Sequence, residues 1–252
     1  MSKRWALIMI NYKIAQPVTN QNVVSILSGG LDSTILTHLL VREYGKNRVL
    51  ALTFDYNQKH RIEIEKSKQT CLDLDITQQI INIDFLGDLI KNVSALSSNS
   101  KLETPNIKEV LGDPQPLTYV PYRNMLFLTL GLSFAESNNA NYVFTAVQSS
   151  DLYGYWDTTP EFIERINKVS ELNRKHQIKI EAPFSRLSKK DEILLGNEIG
   201  VDFAKTHTCY DPLGEKSCGK CPSCSERIKN FIDAGIKDPI PYNINIDWSN
   251  NV

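Results

Sequence analysis

Short β-branched apolar runs along this chain are separated by longer stretches of mixed period, a rhythm that predicts strands alternating with helices. Val23-Val24-Ser25-Ile26-Leu27 reads as a strand over 22–27, followed by a small-residue turn and a helix over about 32–44 that Gly45 and Asn47 end. Residues 49–54 give a second strand, and a charged amphipathic helix covers about 60–73, with Ile62, Ile64, Cys71 and Leu72 among its apolar positions. A third strand is expected over 77–83 and a short helix over 85–93. From Pro121 the chain turns helical again, and residues 125–132 are apolar nearly all round, which predicts a buried helix. Residues 141–147 form a fourth strand, a helix begins near Pro160, 178–180 reads as a fifth strand and 189–200 as another helix. Ahead of all this, 5–10 reads as a strand and 11–21 as a polar connector containing Pro17.

Such alternation calls for a parallel sheet covered by helices, a Rossmann-like α/β fold, in which ligands bind beyond the carboxyl ends of the strands. The turn at 28–34, the 55–60 segment and the 148–159 loop all follow strands and can face one cleft. Residues 94–118 carry three prolines and no clear period; so long a loop is usually functional or mobile. The expected organisation is an extension over 1–21, an α/β domain over 22–205 and a C-terminal segment over 206–252.

With 252 residues the chain can bury a sizeable core. Its 28 Lys+Arg against 29 Asp+Glu leave a net charge of −1, so no global basic footprint points to nucleic acid. No apolar run approaches a membrane span. The 5–10 run is short and lacks a small-residue cleavage site, so a strand is expected there and not a signal peptide, and the protein reads as cytoplasmic.

The chemistry concentrates in Leu27-Ser28-Gly29-Gly30-Leu31-Asp32-Ser33-Thr34. Two adjacent glycines permit positive φ, the helix that follows offers unpaired N–H groups to an anion, and Ser33 and Thr34 add hydroxyls. No Gly-Lys-Ser/Thr closes the turn, so it is not a Walker loop. An ordinary Gly-rich βα turn is the alternative, although it would not call for Asp-Ser-Thr.

A second feature is Cys209, Cys218, Cys221 and Cys224, spaced C-x8-C-x2-C-x2-C with Gly219 and Pro222 in the turns. Four thiolates so placed can enclose one structural, tetrahedral Zn²⁺ with no open position. Disulfides and an iron–sulfur cluster are the alternatives. Cys71 reads as a buried apolar residue. His207 is either a ligand in an alternative set or a solvent-facing or substrate-loop residue.

The order Ser-Gly-Gly-Xaa-Asp-Ser resembles the PP-loop of the ATP pyrophosphatases, which cleave ATP between the α and β phosphates. Together with Phe54-Asp55-Tyr56-Asn57-Gln58-Lys59-His60, Val120-Pro121-Tyr122-Arg123-Asn124 and the cysteine cluster, the match resembles the 7-cyano-7-deazaguanine synthase (QueC) family from about residue 22 to about 238. That resemblance implies a PP-loop (HUP-type) domain with a zinc knuckle and a short helical segment, and an ATP-dependent carbon–nitrogen ligase of queuosine precursor synthesis. It also implies a homodimer. The implied reaction activates 7-carboxy-7-deazaguanine as an adenylate, using ATP with Mg²⁺, and aminates it with ammonia.

Under this resemblance residues 27–34 and Asp55 would bind ATP, and Asp32, Arg123 and Lys189 would be catalytic. Arg123, Asp151, Tyr155 and Asp157 would hold the substrate. Plainer readings stand beside these. Asp32 can cap its helix instead of holding Mg²⁺. Asp55 can form a turn, Arg123 a helix-terminal salt bridge, and Lys189 a solvated helix start; His60 reads as a helix-start residue. The chain departs from the family at Trp156, where the family has proline, and at Thr158, where it has cysteine. Asn57 replaces a glycine, and about twenty residues precede the first matched strand. The departures keep open a QueC-like paralogue of an antiviral operon that attaches a deazaguanine to a protein acceptor. A tRNA-modifying PP-loop enzyme and a non-catalytic zinc-bearing nucleic-acid binding module are further alternatives.

Overall fold

The structure is a computed structural model that describes residues 14–15, 20–59, 61–97, 103, 107–110, 116–148 and 155–249. The expected strand at 5–10, His60, Asp151 and much of the 94–118 loop lie outside the described residues. Five strands, β1 (Asn22–Ile26), β2 (Val49–Asp55), β3 (Thr77–Asn82), β4 (Ala140–Phe144) and β5 (Lys179–Glu181), form one parallel sheet in the order β3-β2-β1-β4-β5. The main helices are α1 (Leu31–Tyr44), α2 (Ile62–Leu74), α3 (Phe85–Ile90), α4 (Arg123–Ser137), α5 (Pro160–Ser170), α6 (Lys189–Glu198) and α7 (Pro222–Ala234).

Strand alternation sorts the core onto the two faces of the sheet. Val23 and Phe144 meet α1, α6 and α7, whereas Val24, Leu52 and Val143 meet α3, α4 and α5. Phe231 and Ala234 of α7 share the core of Leu39 and Ile35, so the C-terminal segment is packed into the α/β domain. The helix boundaries have local causes. Thr159 caps α5 through Phe162 N at 3.1 Å, with Pro160 in the first turn, and Ser188 and Asp191 form a capping box on α6. Gly45, Asp75 and Gly235 end α1, α2 and α7 with positive φ.

Two expectations of burial are corrected. Along α2 the buried stripe is Ile64, Ser67, Thr70 and Cys71, while Leu72 is 73% exposed. Spacings of i, i+3, i+6 and i+7 from residue 64 select those positions and leave Leu72 off the stripe. Helix α4 buries only Leu128, Gly131 and Ala135 fully, and Met125 is 43% exposed, because the helix lays one face on β1 and β4 and leaves the other uncovered.

The sheet order reverses direction at β1, whose neighbours are β2 and β4. A crevice is expected outside the carboxyl ends of strands at such a switch point. No helix among the described residues is long and apolar enough to cross a membrane.

Candidate active site

A cleft of about 280 Å³ opens at that switch point. From the first turn it is lined by Leu27, Ser28, Gly30, Leu31, Asp32 and Ser33. The hydroxyls are organised within the loop: Ser33 Oγ lies 3.0 Å from Ser28 Oγ and accepts from Ser28 N at 3.2 Å, and Gly30 N donates to Ser28 Oγ at 3.1 Å. No side chain caps α1. The open helix start is therefore free to meet an anion.

Two members of the turn play other parts. Gly29, at φ +90°, backs onto α2: a Cβ there would lie 2.0 Å from the Glu63 carbonyl oxygen. Thr34 is buried and does not line the cleft, correcting the expectation of a phosphate donor, because the helix has already turned it toward the core. Gly29→Ala adds both a backbone collision and positive-φ strain of about 1–2 kcal/mol. It is expected to lower the melting temperature and abolish nucleotide binding, measured by thermal denaturation and calorimetry.

Lys189 is brought to the same turn from the far side of the sequence. The α6 capping box fixes the helix start, and Lys189 Nζ sits 2.9 Å from Asp32 Oδ2 and 3.4 Å from Glu226 Oε2. Its side chain is 9% exposed, so the solvated-helix-start reading is corrected. Asp32 makes no capping bond, since the cap position belongs to Gly30, one turn edge earlier. Its Oδ1 is buried without a hydrogen-bond partner, a coordination capacity that suits a divalent cation.

Arg123 begins α4 and lines the cleft beside Tyr56, whose hydroxyl it bonds. Burial works to lower the guanidinium pKa, but Tyr56, Asp157 and Tyr210 outweigh it and raise it. Arg123 is half-buried and faces the cleft, and it is not a surface salt bridge. Tyr155 also lines the cleft, its hydroxyl 2.7 Å from Thr118 Oγ1.

Asp157 does not line the cleft. It is 2% exposed, accepts from Asn124 N at 3.2 Å and so closes the first turn of α4, a buried carboxyl pushed up by desolvation against the pull of Arg123. It acts behind Arg123, correcting the expectation that it faces the substrate. Asp55 is likewise turned away: Oδ1 accepts from Asn57 N at 3.2 Å and Oδ2 pairs with Arg61. The turn-forming reading holds there, with Asn57 at φ +61°. Trp156 donates from Nε1 to Tyr119 Oη at 2.7 Å and packs edge-on to Tyr122 and Phe162. Thr158 lines the cleft and donates to Tyr155 O at 2.6 Å.

Glu63, Tyr56, Tyr210 and Glu226 are cleft residues that spacing alone did not single out. For Glu63 a signal existed: it stands one turn before Ser67 on the buried stripe of α2, a charged residue where the pattern calls for a buried one.

Beside the cleft, the Sγ atoms of Cys209, Cys218, Cys221 and Cys224 all lie within 4.8 Å of one another. Backbone N–H groups of Cys218 and Cys221 point at Cys209 and Cys218 sulfurs at 3.2 and 3.3 Å, which favours thiolates. Four sulfurs so gathered fit a closed tetrahedral metal site, whose metal–sulfur bonds of about 2.3 Å require similar spacing. None of the five cysteines is in a disulfide. His207 is buried and bonds the Cys209 carbonyl at 2.9 Å, so it is neither a ligand nor solvent-facing. Its backbone N–H donates to Gly29 O at 3.1 Å, tying the cysteine cluster to the phosphate turn. Behind them Arg227 and Asp238 form a buried bidentate pair at 2.6 and 2.9 Å, completed by Thr206 and Tyr242.

The parallel sheet, with its Ser-Gly-Gly-Leu-Asp-Ser turn at the switch point, defines an α/β PP-loop protein. Within that class, the profile described as "Queuosine biosynthesis protein QueC" matches residues 22–235, and the chain belongs to that family. Similar relatives include a protein named 7-cyano-7-deazaguanine synthase from Leptospira biflexa serovar Patoc, 39% identical over 242 residues, covering 87% of this chain and 93% of that one. Another of the same name, from Caldicellulosiruptor saccharolyticus, is 39% identical over 225 residues, covering 89% of this chain and 97% of that one. Among solved structures, the U34-tRNA thiolase NcsA from Methanococcus maripaludis superposes with a TM-score of 0.51 at 15% identity, over 84% of this chain and 67% of that one. At that identity the likeness is one of fold.

Proposed function

We propose that this protein is an ATP-dependent ligase that converts the carboxylate of 7-carboxy-7-deazaguanine, with ammonia, to 7-cyano-7-deazaguanine. One observation carries the reading: the cleft joins an anion-ready helix start to a buried lysine and a half-buried arginine contributed by separate elements. The names of the relatives supply the substrate class.

In the proposed reaction a carboxylate oxygen attacks the α-phosphorus of ATP and pyrophosphate leaves. Ser28, Gly30 and Ser33 would hold the departing pyrophosphate, and Lys189 would neutralise charge developing on it. Asp32, through its unbonded Oδ1, would hold the Mg²⁺ that spreads the phosphate charge. Arg123 would orient the carboxylate by a two-pronged contact, while Asp157 and Tyr56 keep its guanidinium in place. Ammonia then replaces AMP to give the amide. A second adenylation, on the amide oxygen, followed by loss of a proton and AMP, leaves the nitrile. Tyr155 is suited to stack on the deazaguanine ring, with Thr158 beside it.

The four cysteines would hold one structural Zn²⁺ per chain, with every position filled by sulfur. Of the two departures, Trp156 packs against Tyr119, Tyr122 and Phe162 outside the cleft, whereas Thr158 lines it. The test is to incubate the protein with ATP, Mg²⁺, ammonium and 7-carboxy-7-deazaguanine. AMP, pyrophosphate and the nitrile should appear together; a base linked to a protein acceptor would move the reading to the paralogue.

A further inference from the structure

We propose that Glu63 is the base that takes a proton from ammonium in the amination step. The inference rests on the proposed function and adds a residue to it. Glu63 stands in the first turn of α2 and lines the cleft between the phosphate turn and Arg123. A Cβ on Gly30 would lie 3.8 Å from Glu63 Oε1, so the carboxyl group flanks the place where the α-phosphate would sit. Arg123, which would orient the substrate carboxylate, lines the same cleft and acts on the Glu63 charge. In the proposed reaction the acyl–phosphate bond would form in that cleft, beside Glu63. The backbone of Glu63 packs closely on the phosphate turn, where a Cβ on Gly29 would collide with its carbonyl oxygen.

Ammonia in neutral water is held almost entirely as ammonium, which has no lone pair to attack with. One proton passes from the ammonium nitrogen to a Glu63 oxygen. The freed lone pair forms the C–N bond as the C–O bond to AMP breaks; the nitrogen then sheds a second proton to become the neutral amide, and both protons leave to solvent. The charged and titratable groups facing Glu63 are Arg123 of α4, Asp32 of α1 and Tyr56 after β2, with Tyr210 lining the same cleft. Burial, helped by the Asp32 charge and opposed by Arg123, pushes the carboxyl up to about 8. A base so tuned exchanges protons near neutral pH.

The experiment compares wild type with Glu63→Gln, and with Glu63→Asp as the conservative control. Two rates are read with ammonium chloride as the nitrogen source: ATP–pyrophosphate exchange driven by 7-carboxy-7-deazaguanine, and incorporation of ¹⁵N into product. Glu63→Gln should lose about 10²–10⁴-fold in nitrogen incorporation, with a far smaller loss in exchange. The deficit should stay level up to about pH 8, where the ionised fraction of Glu63 and free ammonia rise together, and shrink above it as free ammonia alone goes on rising; Glu63→Asp should recover part of the rate. Melting temperatures establish that the variants are folded. Equal losses in both rates, an unaffected incorporation rate, or a deficit that does not shrink above about pH 8 would each overturn the assignment. Absence of exchange in the wild type would overturn the functional reading itself, and this assignment with it.

Discussion

Replacing Lys189 by methionine is expected to lower AMP formation by about 10²–10³-fold, the usual effect of removing one fixed donor to a developing charge. The effect should fall mainly on kcat, because the lysine meets charge that builds as pyrophosphate departs. Methionine keeps the length of the stem, so packing at the start of α6 is retained while the ammonium is lost. The substitution also leaves Asp32 and Glu226 facing the cleft without the cation between them. Both are partly open to solvent, so the stability lost should be less than the roughly 3–5 kcal/mol of a fully buried broken pair. Lys189→Arg keeps the charge but replaces a point donor with a planar fork, and should recover only part of the rate. Steady-state AMP release and a thermal melt check both parts; unaltered turnover in Lys189→Met would remove the lysine from the reaction.

The largest loss of stability is expected from Cys221→Ser. Structural zinc contributes about 10–16 kcal/mol of apparent binding energy in small metal-dependent domains. Here the neighbouring core of Phe231, Phe203 and Leu39 is packed without any of the four cysteines, so only part of that is at stake. A loss of even 3–5 kcal/mol corresponds to a fall of about 6–20 °C in a chain of this size. The consequence should reach the cleft. Tyr210, Ser223 and Glu226 line it from the cysteine-bearing segment, and His207 N holds Gly29 O. Nucleotide affinity measured by calorimetry should therefore fall along with the melting temperature. Elemental analysis should find about one zinc per wild-type chain and less in the variant. Metal-free protein with an unchanged melt would refute the site, and iron with visible absorption would replace zinc by an iron–sulfur cluster.

Much of this was legible in the sequence because the signals are local. A strand running into Ser28-Gly29-Gly30 and out into an apolar helix fixes its own geometry within a few residues. The cysteine spacing specifies a closed sulfur cage in the same way. What could not be read were directions set by contacts between distant elements. Asp55 and Asp157 are carboxylates at the expected ends of strands and loops, yet one is claimed by Asn57 and Arg61 and the other by the start of α4. Gly29 suggested a close approach to ligand, and instead α2 approaches it. Glu63 was hidden inside a helix whose charges read as solvated, although its place on the Ser67–Cys71 stripe marked it as inward. The burial of α4 was overestimated because composition reports apolarity and not what covers each face.

The central claim is that the cleft activates the carboxylate of a deazaguanine by adenylation. Its most direct test is ATP–pyrophosphate exchange, measured with Mg²⁺ and without ammonium. The account predicts exchange only when 7-carboxy-7-deazaguanine is present, and AMP with the nitrile once ammonium is added. Exchange independent of that carboxylate, release of ADP and phosphate, or RNA binding without any AMP formed would contradict it.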